Sequence, residues 1–225
     1  LGIYGNCYKL SVFMSLAIQA FKYSAEPFFL GKKSESNSQA NLALVTHWFV
    51  IVCTLLWVGV SVNLFWIKTL FLRQSIYWEG IGIVPILLLA NLFLGVYYTQ
   101  SVWFKQTNKT YVGTVITLIG LGVTLLGNII FIPIYGYMAC AYSFLGSSIV
   151  MTVLSFIGGQ KYAPAPYRWK SDLGYLVLGG ICIYIGSLTW ISVPLVTANL
   201  GLIIVMVFIA LYEFRWQSGK PQLKV

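Results

Sequence analysis

The chain has 225 residues, of which 59% are apolar and 8% are charged, and its mean hydropathy is strongly positive. A soluble domain carries about a quarter charged residues and under half apolar ones, so it has too few polar groups to cover this much apolar surface. Disordered chains are poor in apolar residues and rich in charge, so disorder is excluded as well. The composition predicts a polytopic membrane protein.

The formal net charge is +9, from 14 Lys and Arg against 5 Asp and Glu. The basic residues occupy short polar gaps between long apolar runs, which is typical of cytoplasmic loops beside anionic lipid rather than of a nucleic-acid-binding face. Single cysteines and a lone histidine within apolar segments behave as core residues, so we expect no disulfide, metal site, cofactor or nucleic-acid partner. These residues are Cys7, Cys53, Cys140, Cys182 and His47.

Membrane-spanning helices are predicted from the long apolar runs, because a bilayer core of about 30 Å needs about 20 apolar residues of helix. Seven runs meet or approach that length, and the predicted fold is an all-α polytopic helical bundle. The last two runs are separated by a tight connection at Ser192 and Pro194, since proline disfavours helix in the residue before it. The runs cover 7–29, 43–66, 80–100, 112–132, 137–158, 173–190 and 193–213.

The basic residues also predict orientation. If the loop after the first span is cytoplasmic, eleven Lys and Arg fall inside and three, Lys9, Lys68 and Arg73, fall outside. This asymmetry supports seven spans and a cytoplasmic C-terminus. The chain begins at Leu1 with no initiator Met and no basic n-region, so we expect no signal peptide and a further N-terminal part beyond this sequence.

The first span carries a polar stripe about 80° wide on a helical wheel. Charge facing lipid costs at least a few kcal/mol near the bilayer centre, so the stripe predicts an interior cavity. Three alternatives stay open: Lys22 snorkels to the interface, Lys22 pairs locally with Glu26, or Gln19 and Ser15 join helices. The stripe holds Tyr8, Ser11, Ser15, Gln19, Lys22 and Glu26, with Lys9 on its flank.

Two further spans carry patterned polar or small residues. In the third, Asn91, Gly95 and Tyr98 share a face, and Pro85 is expected to bend the helix. In the fourth, small residues alternate four and three apart, which favours close helix packing over a ligand groove. They are Gly113, Thr117, Gly120, Thr124 and Gly127, and a short turn at Gly136 follows.

No pattern in the sequence indicates catalysis. The chain has one His, no facing pair of buried carboxylates, no GxSxG and no phosphate-cradling glycine loop. We therefore expect a conduit and not an enzyme.

Three parts of the chain resemble a known family. They are Gly2-Ile-Tyr-Gly-Asn-Cys-Tyr-Lys9-Leu with Gln19-Ala-Phe-Lys-Tyr-Ser-Ala-Glu26-Pro27-Phe-Phe, then Tyr77-Trp-Glu-Gly-Ile-Gly-Ile-Val-Pro85-Ile-Leu-Leu-Leu-Ala-Asn91, and Leu126-Gly-Asn128-Ile-Ile-Phe-Ile-Pro133-Ile-Tyr-Gly136-Tyr. These segments are similar to polysaccharide flippases of the Wzx type, in the superfamily that also contains the MATE exporters. The resemblance implies that residues 1–225 form the C-terminal part of a flippase membrane domain, about half of a two-bundle transporter with a central cavity.

The resemblance implies a function: movement of an oligosaccharide on an isoprenoid diphosphate from the inner to the outer leaflet of the bacterial cytoplasmic (inner) membrane, by alternating access. The expected partners are this lipid-linked oligosaccharide, membrane lipids and a coupling proton or sodium ion, and the expected state is a monomer. Glu26 would either tune Lys22 or carry the coupling proton. The expected cavity residues are Lys9, Ser15, Gln19, Lys22, Glu26, Asn91 and Tyr98.

Other functions compete with this expectation. A MATE-type drug or cation antiporter needs buried carboxylates, for which the chain offers Glu26 and Glu79, both near span ends. A polytopic glycan polymerase or ligase needs a sizeable outer loop, and the longest candidate covers only about 67–79. A scaffold that assembles glycan enzymes without transport is the fourth possibility.

Overall fold

The computed structural model describes residues 2–31, 38–72 and 75–188, together with the single positions 204, 207 and 211. All secondary structure in these ranges is helical. A 3₁₀ helix, Ser75–Ile83, leads directly into the fifth α-helix. The α-helices are α1 Gly2–Leu10, α2 Val12–Gly31, α3 Ser38–Val62, α4 Leu64–Phe71, α5 Val84–Gln100, α6 Val102–Gln106, α7 Thr110–Tyr135, α8 Tyr137–Tyr162 and α9 Trp169–Leu188.

Four segments within the described ranges are long and apolar enough to cross a membrane, as expected of a membrane protein. They are Ser38–Val62, Tyr77–Gln106, Thr110–Tyr135 and Tyr137–Tyr162. The predicted count of seven is not confirmed. The first and sixth predicted spans correspond to α2 and α9, which are helical but are not among the four, and the seventh, 193–213, lies almost entirely outside the described residues.

Side-chain contacts show that the long helices alternate in direction in the order in which they follow one another along the chain. Helices α2 and α5 run parallel, because Ile18 lies near Gly95 and Phe29 lies farther along, near Gln106. Helix α3 is antiparallel to both, α7 and α8 form an antiparallel hairpin, and α9 runs parallel to α3. The contacts that fix these directions are Trp57 with Pro85, Gln39 with Gln106, Gly120 with Met151, Gly127 with Ser143, His47 with Asp172 and Gly186 with Val62.

Helix α5 is the centre of this arrangement. Its side chains Leu87, Leu88 and Leu92 are fully buried against residues from α1, α2 and α3, including Met14 and Trp57. Burial of apolar side chains stabilises by roughly 1.5–3 kcal/mol each in water, but lipid is as apolar as leucine. Inside a membrane, the close fit of these side chains is therefore the main stabilising contribution.

Pro85 does not lie in the interior of an α-helix, the position from which a bend was expected. It lies in the first turn of α5, after the 3₁₀ helix. The first N–H groups of an α-helix have no intrahelical acceptor, so a proline there removes no hydrogen bond. The Pro85 carbonyl instead accepts a 2.8 Å hydrogen bond from Nε1 of Trp57 and so ties α3 to α5.

The small-residue face of α7 packs as predicted. A Cβ on Gly113 would lie 2.6 Å from the Phe104 ring, and one on Gly120 would lie 2.5 Å from the Met151 sulfur. The predicted turn at Gly136 is also confirmed: its φ of +57° ends α7 and begins α8, a conformation that glycine adopts without a steric cost.

Candidate functional site

The polar stripe of α2 borders the face by which this helix packs on the bundle. The buried face of α2 is formed by Met14, Ile18, Phe21 and Phe29. At 100° per residue the centre of the stripe lies about 80° from the centre of this buried face. Gln19 is therefore exposed, while Lys22 and Glu26 are half-buried. The helix begins again at Val12 after a turn at Ser11, whose hydroxyl donates 2.7 Å to the Tyr8 carbonyl.

Lys22 reaches across to α5. Its ammonium lies 4.4 Å from the centroid of the Tyr98 ring. Such a cation–π contact is worth about 0.5–1 kcal/mol where exposed and about 2 where desolvated. The structure thus joins two predicted cavity residues that are 76 positions apart in the sequence.

Glu26 forms an ion pair with Lys105 of α6. The two side chains are 14% and 31% exposed, so the pair lies at the boundary of the packed interior. No ion pair joins Glu26 to Lys22 among the described residues, although the two are four apart on one helix. The carboxylate holds the short helix α6 against α2 instead.

Helix α6 owes its position to two neighbours on either side of Lys105. The Gln106 side-chain amide donates 2.9 Å to the Phe29 carbonyl at the end of α2. The Trp103 indole N–H donates 3.1 Å to the Ser155 carbonyl of α8, and its ring covers Gly158 and Gly159. Lys105 is therefore held by buried contacts that do not depend on its own charge.

Two open grooves meet at this cluster of Lys22, Glu26, Tyr98 and Lys105. One groove, of about 510 Å³, runs along α2. The other, of about 410 Å³, lies between α5, α6 and α7. The described lining of the first is Gln19, Lys22, Tyr23, Glu26, Pro27 and Leu30, and that of the second includes Tyr97, Tyr98, Ser101, Lys105, Thr110, Thr114 and Thr117.

The remaining predicted cavity residues lie elsewhere. Lys9 is exposed on α1, before the turn at Ser11, and donates 3.1 Å to Asn6. Ser15 is half-buried and lines neither groove. Asn91 is buried, and its amide donates 2.9 Å to the Leu87 carbonyl of its own helix. Four of the seven predicted residues, Gln19, Lys22, Glu26 and Tyr98, thus come together.

Sequence reasoning missed Lys105 and the threonine hydroxyls of α7. Lys105 was assigned to a loop, although it follows Tyr98 at i+7, a spacing that puts both on one helix face. For the α7 face that includes Thr117, close packing was favoured over a ligand groove. Thr117 does pack, since its hydroxyl lies 3.2 Å from the Tyr97 hydroxyl, but it also lines the second groove.

A second pair of ionisable residues was also missed. Nδ1 of His47 lies 2.5 Å from Oδ1 of Asp172, which joins α3 to α9. His47 is fully buried and the Asp172 side chain is 16% exposed. The two are 125 positions apart, so nothing local in the sequence pairs them. This pair lines neither of the two grooves.

The cluster at the two grooves carries one net positive charge, from two lysines and one glutamate. Its ammonium groups are donors suited to phosphate oxygens, and the tyrosine, threonine and glutamine side chains around them can hydrogen-bond hydroxyl groups. Among the described residues, no group of three or more His, Cys, Asp or Glu side chains is placed to hold a metal ion. The chemistry that this site supports is reversible binding of a polar anion beside an apolar surface.

Comparison with known proteins adds no family to this description, since no protein-family model, curated protein or solved structure matches the chain. The function of the chain is therefore inferred from the geometry of the site.

Proposed function

We propose that the chain is part of a transporter that moves a lipid-linked oligosaccharide, carried on an isoprenoid diphosphate, from the inner to the outer leaflet of a bacterial cytoplasmic membrane. The observation that carries the proposal is the cluster of Lys22, Glu26, Tyr98 and Lys105 at the junction of two grooves. Ionisable residues within membrane helices are costly and mark ion or substrate pathways by default.

The substrate class follows from the groups that the grooves offer. A diphosphate that leaves water loses hydration, and Lys22 and Lys105 can replace part of it with charge-assisted hydrogen bonds. The hydroxyl groups of Thr110, Thr114 and Thr117 line the neighbouring groove, where sugar hydroxyls would bind. The isoprenoid tail would stay in lipid, beside the exposed apolar side chains of α7.

Glu26 has a defined role in this proposal. It neutralises one of the two lysines, so the empty site carries a single net positive charge. A diphosphate then meets moderate attraction, which suits a site that must release its cargo in the other leaflet. Alternating access requires such release, because cargo that stays bound in the outward-facing state is not transferred.

The proposal predicts that Lys22→Ala reduces surface glycan at unchanged protein level. Loss of one hydrogen bond to a charged group costs about 1.5–3 kcal/mol, which corresponds to roughly ten- to a hundred-fold weaker binding. Lys9→Ala is the matched control, since Lys9 lies on the preceding helix, is exposed and lines neither groove. The measurement is glycan export in cells whose only copy of the transporter is the variant.

Normal export by Lys22→Ala at normal protein level would contradict the proposal. Drug sensitivity of a deletion strain with intact surface glycan would instead support the MATE-type antiporter. That function has less support here, because Glu26, the carboxylate nearest the grooves, is already paired with Lys105.

A further inference from the structure

Two lysines flank one exposed tyrosine ring at the end of the bundle where α7 begins and α8 ends. The ammonium of Lys109 lies 3.5 Å from the centroid of the Tyr162 ring, and the ammonium of Lys161 lies 5.6 Å from the same centroid. The two ammonium groups are therefore no farther apart than the sum of these distances, which is less than the screening length of about 10 Å at 0.1 M salt. An anion beside the ring meets both charges at once.

The backbone and one stacking contact hold this arrangement in place. Asn108 has a φ of +56°, in the left-handed region that asparagine tolerates, and turns the chain between α6 and α7. The backbone N–H of Lys109 donates 2.8 Å to the Phe104 carbonyl. Tyr162 stacks on Trp103 with ring centroids 5.9 Å apart, and Trp103 is 1% exposed. The tyrosine ring is thus fixed to the packed interior, and it carries the two lysines at the surface.

Among the described residues, no carboxylate neutralises Lys109 or Lys161. Glu26 and Asp172 are each paired with another residue. Glu79 lies at the opposite end of the bundle, where its backbone carbonyl is next to the start of α8. The positive charge of the two lysines is therefore available to an anion from outside the chain.

The lengths of α7 and α8 place the two lysines at the depth of phospholipid headgroups. Each helix has 26 residues. This length is about 39 Å, against about 30 Å of hydrocarbon in a bilayer. Lys109 directly precedes α7, and Lys161 lies in the last turn of α8. Exposed tyrosines, which favour the membrane interface, mark the same level: they are Tyr111 and Tyr162.

Below this level, α7 presents an apolar side to its surroundings. Tyr111, Leu118 and Leu125 are all more than half exposed. They follow one another at intervals of seven residues, which puts them on one side of the helix. A molecule with both a phosphate group and acyl chains therefore fits the lysines and the helix surface together, whereas a free phosphate uses the lysines alone.

We propose that Lys109, Lys161 and Tyr162 form a binding site for the phosphate of an anionic phospholipid, whose acyl chains lie along α7. The phosphate oxygens accept charge-assisted hydrogen bonds from the two ammonium groups. Clusters of basic residues at the ends of membrane helices attract anionic lipid in this way. The site is separate from the proposed substrate site, because neither lysine lines the two grooves. The proposal therefore does not depend on transport.

The test is a titration of the full-length protein in detergent micelles with dioleoyl phosphatidylglycerol or dioleoyl phosphatidylcholine, with bound lipid counted by native mass spectrometry. Each basic residue near an anionic surface strengthens binding by about fivefold, so two correspond to about 30-fold. We expect wild-type protein to bind phosphatidylglycerol at least about tenfold more tightly than phosphatidylcholine. The double substitution Lys109→Gln/Lys161→Gln should remove this preference.

Lys68→Gln is the matched control, because Lys68 also lies over an aromatic ring, 4.5 Å from the Trp78 centroid, but at the other end of the bundle. It should keep the preference for phosphatidylglycerol. The charge-retaining Lys109→Arg/Lys161→Arg should keep it as well, which separates loss of charge from loss of fold. A preference that falls equally in Lys68→Gln would attribute binding to net charge and overturn the site.

Three further results would overturn the proposal. The first is equal affinity of the wild type for the two lipids, and the second is a preference that survives loss of both lysines. The third is displacement of phosphatidylglycerol by inorganic phosphate at the same concentration, because acyl chains would then contribute nothing. Lys22→Ala should leave the preference unchanged, and its loss there would place the lipid in the grooves instead.

Discussion

Replacement of Gly127 by alanine should force α7 and α8 apart. A Cβ at this position would lie 2.5 Å from the hydroxyl oxygen of Ser143, about 0.9 Å inside the 3.4 Å at which ordinary contact begins. It would also lie 3.0 Å from the Ser143 Cβ, an atom fixed to the backbone of α8. Ser143 is buried, so its short side chain cannot swing aside and the helices must separate. Overpacking of this kind costs about 1–3 kcal/mol.

Gly122 supplies the matched control on the same helix, because a Cβ there meets nothing within 4 Å. Alanine is a better helix former than glycine by about 1 kcal/mol, and both variants gain this amount. The difference between their free energies of unfolding therefore isolates the contact with Ser143. We expect Gly127→Ala to be less stable than Gly122→Ala by about 1–3 kcal/mol.

The assay is equilibrium unfolding of both variants in mixed detergent micelles, followed by circular dichroism and extrapolated linearly to the absence of denaturant. Free energies of unfolding that agree within about 0.5 kcal/mol, the scatter of ordinary surface substitutions, would refute the reasoning. The close approach of α7 to α8 at Gly127 would then contribute nothing to stability.

Three further predictions concern the ion pair of Glu26 with Lys105, the indole of Trp103 in α6, and Tyr167, which lies between α8 and α9. In a double-mutant cycle of Glu26→Gln and Lys105→Gln, we expect a coupling energy of about 1–2 kcal/mol. This is above the value for surface ion pairs, because the two side chains are only 14% and 31% exposed. Additive effects of the two substitutions on the free energy of unfolding would contradict the prediction. Trp103→Phe removes the indole hydrogen bond to Ser155 and should lower the free energy of unfolding by about 1–3 kcal/mol. The control is Trp66→Phe at an exposed position, which should change the free energy of unfolding by under about 0.5 kcal/mol. Equal effects of the two substitutions would exclude the hydrogen bond as the cause. Burial raises the pKa of the Tyr167 hydroxyl above its ordinary 10.0. The buried, neutral Tyr167 therefore contributes its full stabilisation of the fold below pH 10, and this stabilisation is lost as the pH rises through the raised pKa. In an absorbance titration, Tyr167→Phe should therefore remove no tyrosinate signal near pH 10, and loss of one there would contradict the burial.

Local features of the chain could be predicted from the sequence, because each depends on residues near one another. The long apolar runs predicted an all-helical membrane chain, since helix is the structure in which such a run satisfies its own backbone hydrogen bonds. The spacing of Gly113, Gly120 and Gly127 predicted a packing face, because residues three and four apart share one side of a helix. The Gly136 turn was predicted from its neighbours in the same way. The place of Pro85 in the first turn of α5 was not predicted, because it depends on where the α-helix begins, and a 3₁₀ segment precedes it.

The polar stripe on α2 was recognisable in the sequence, but its partners were not. Periodicity states which residues share a face, and it contains no information about the helix that the face meets. The packing of α2 on α5 and α6 selected Tyr98 for Lys22 and Lys105 for Glu26. Local pairing of Lys22 with Glu26 was an alternative that the sequence left open.

The amino-acid sequence by itself determined that this chain is a helical membrane protein. It also determined the helix faces on which the small and polar residues lie, since these features follow from composition and spacing. The tertiary structure alone decided that Lys105 completes the cluster at the grooves and that His47 meets Asp172 across 125 positions of chain. The physical reason is that a buried charge takes its partner from whichever helix packs closest to it, and helix packing is the sum of many weak contacts distributed along the whole chain.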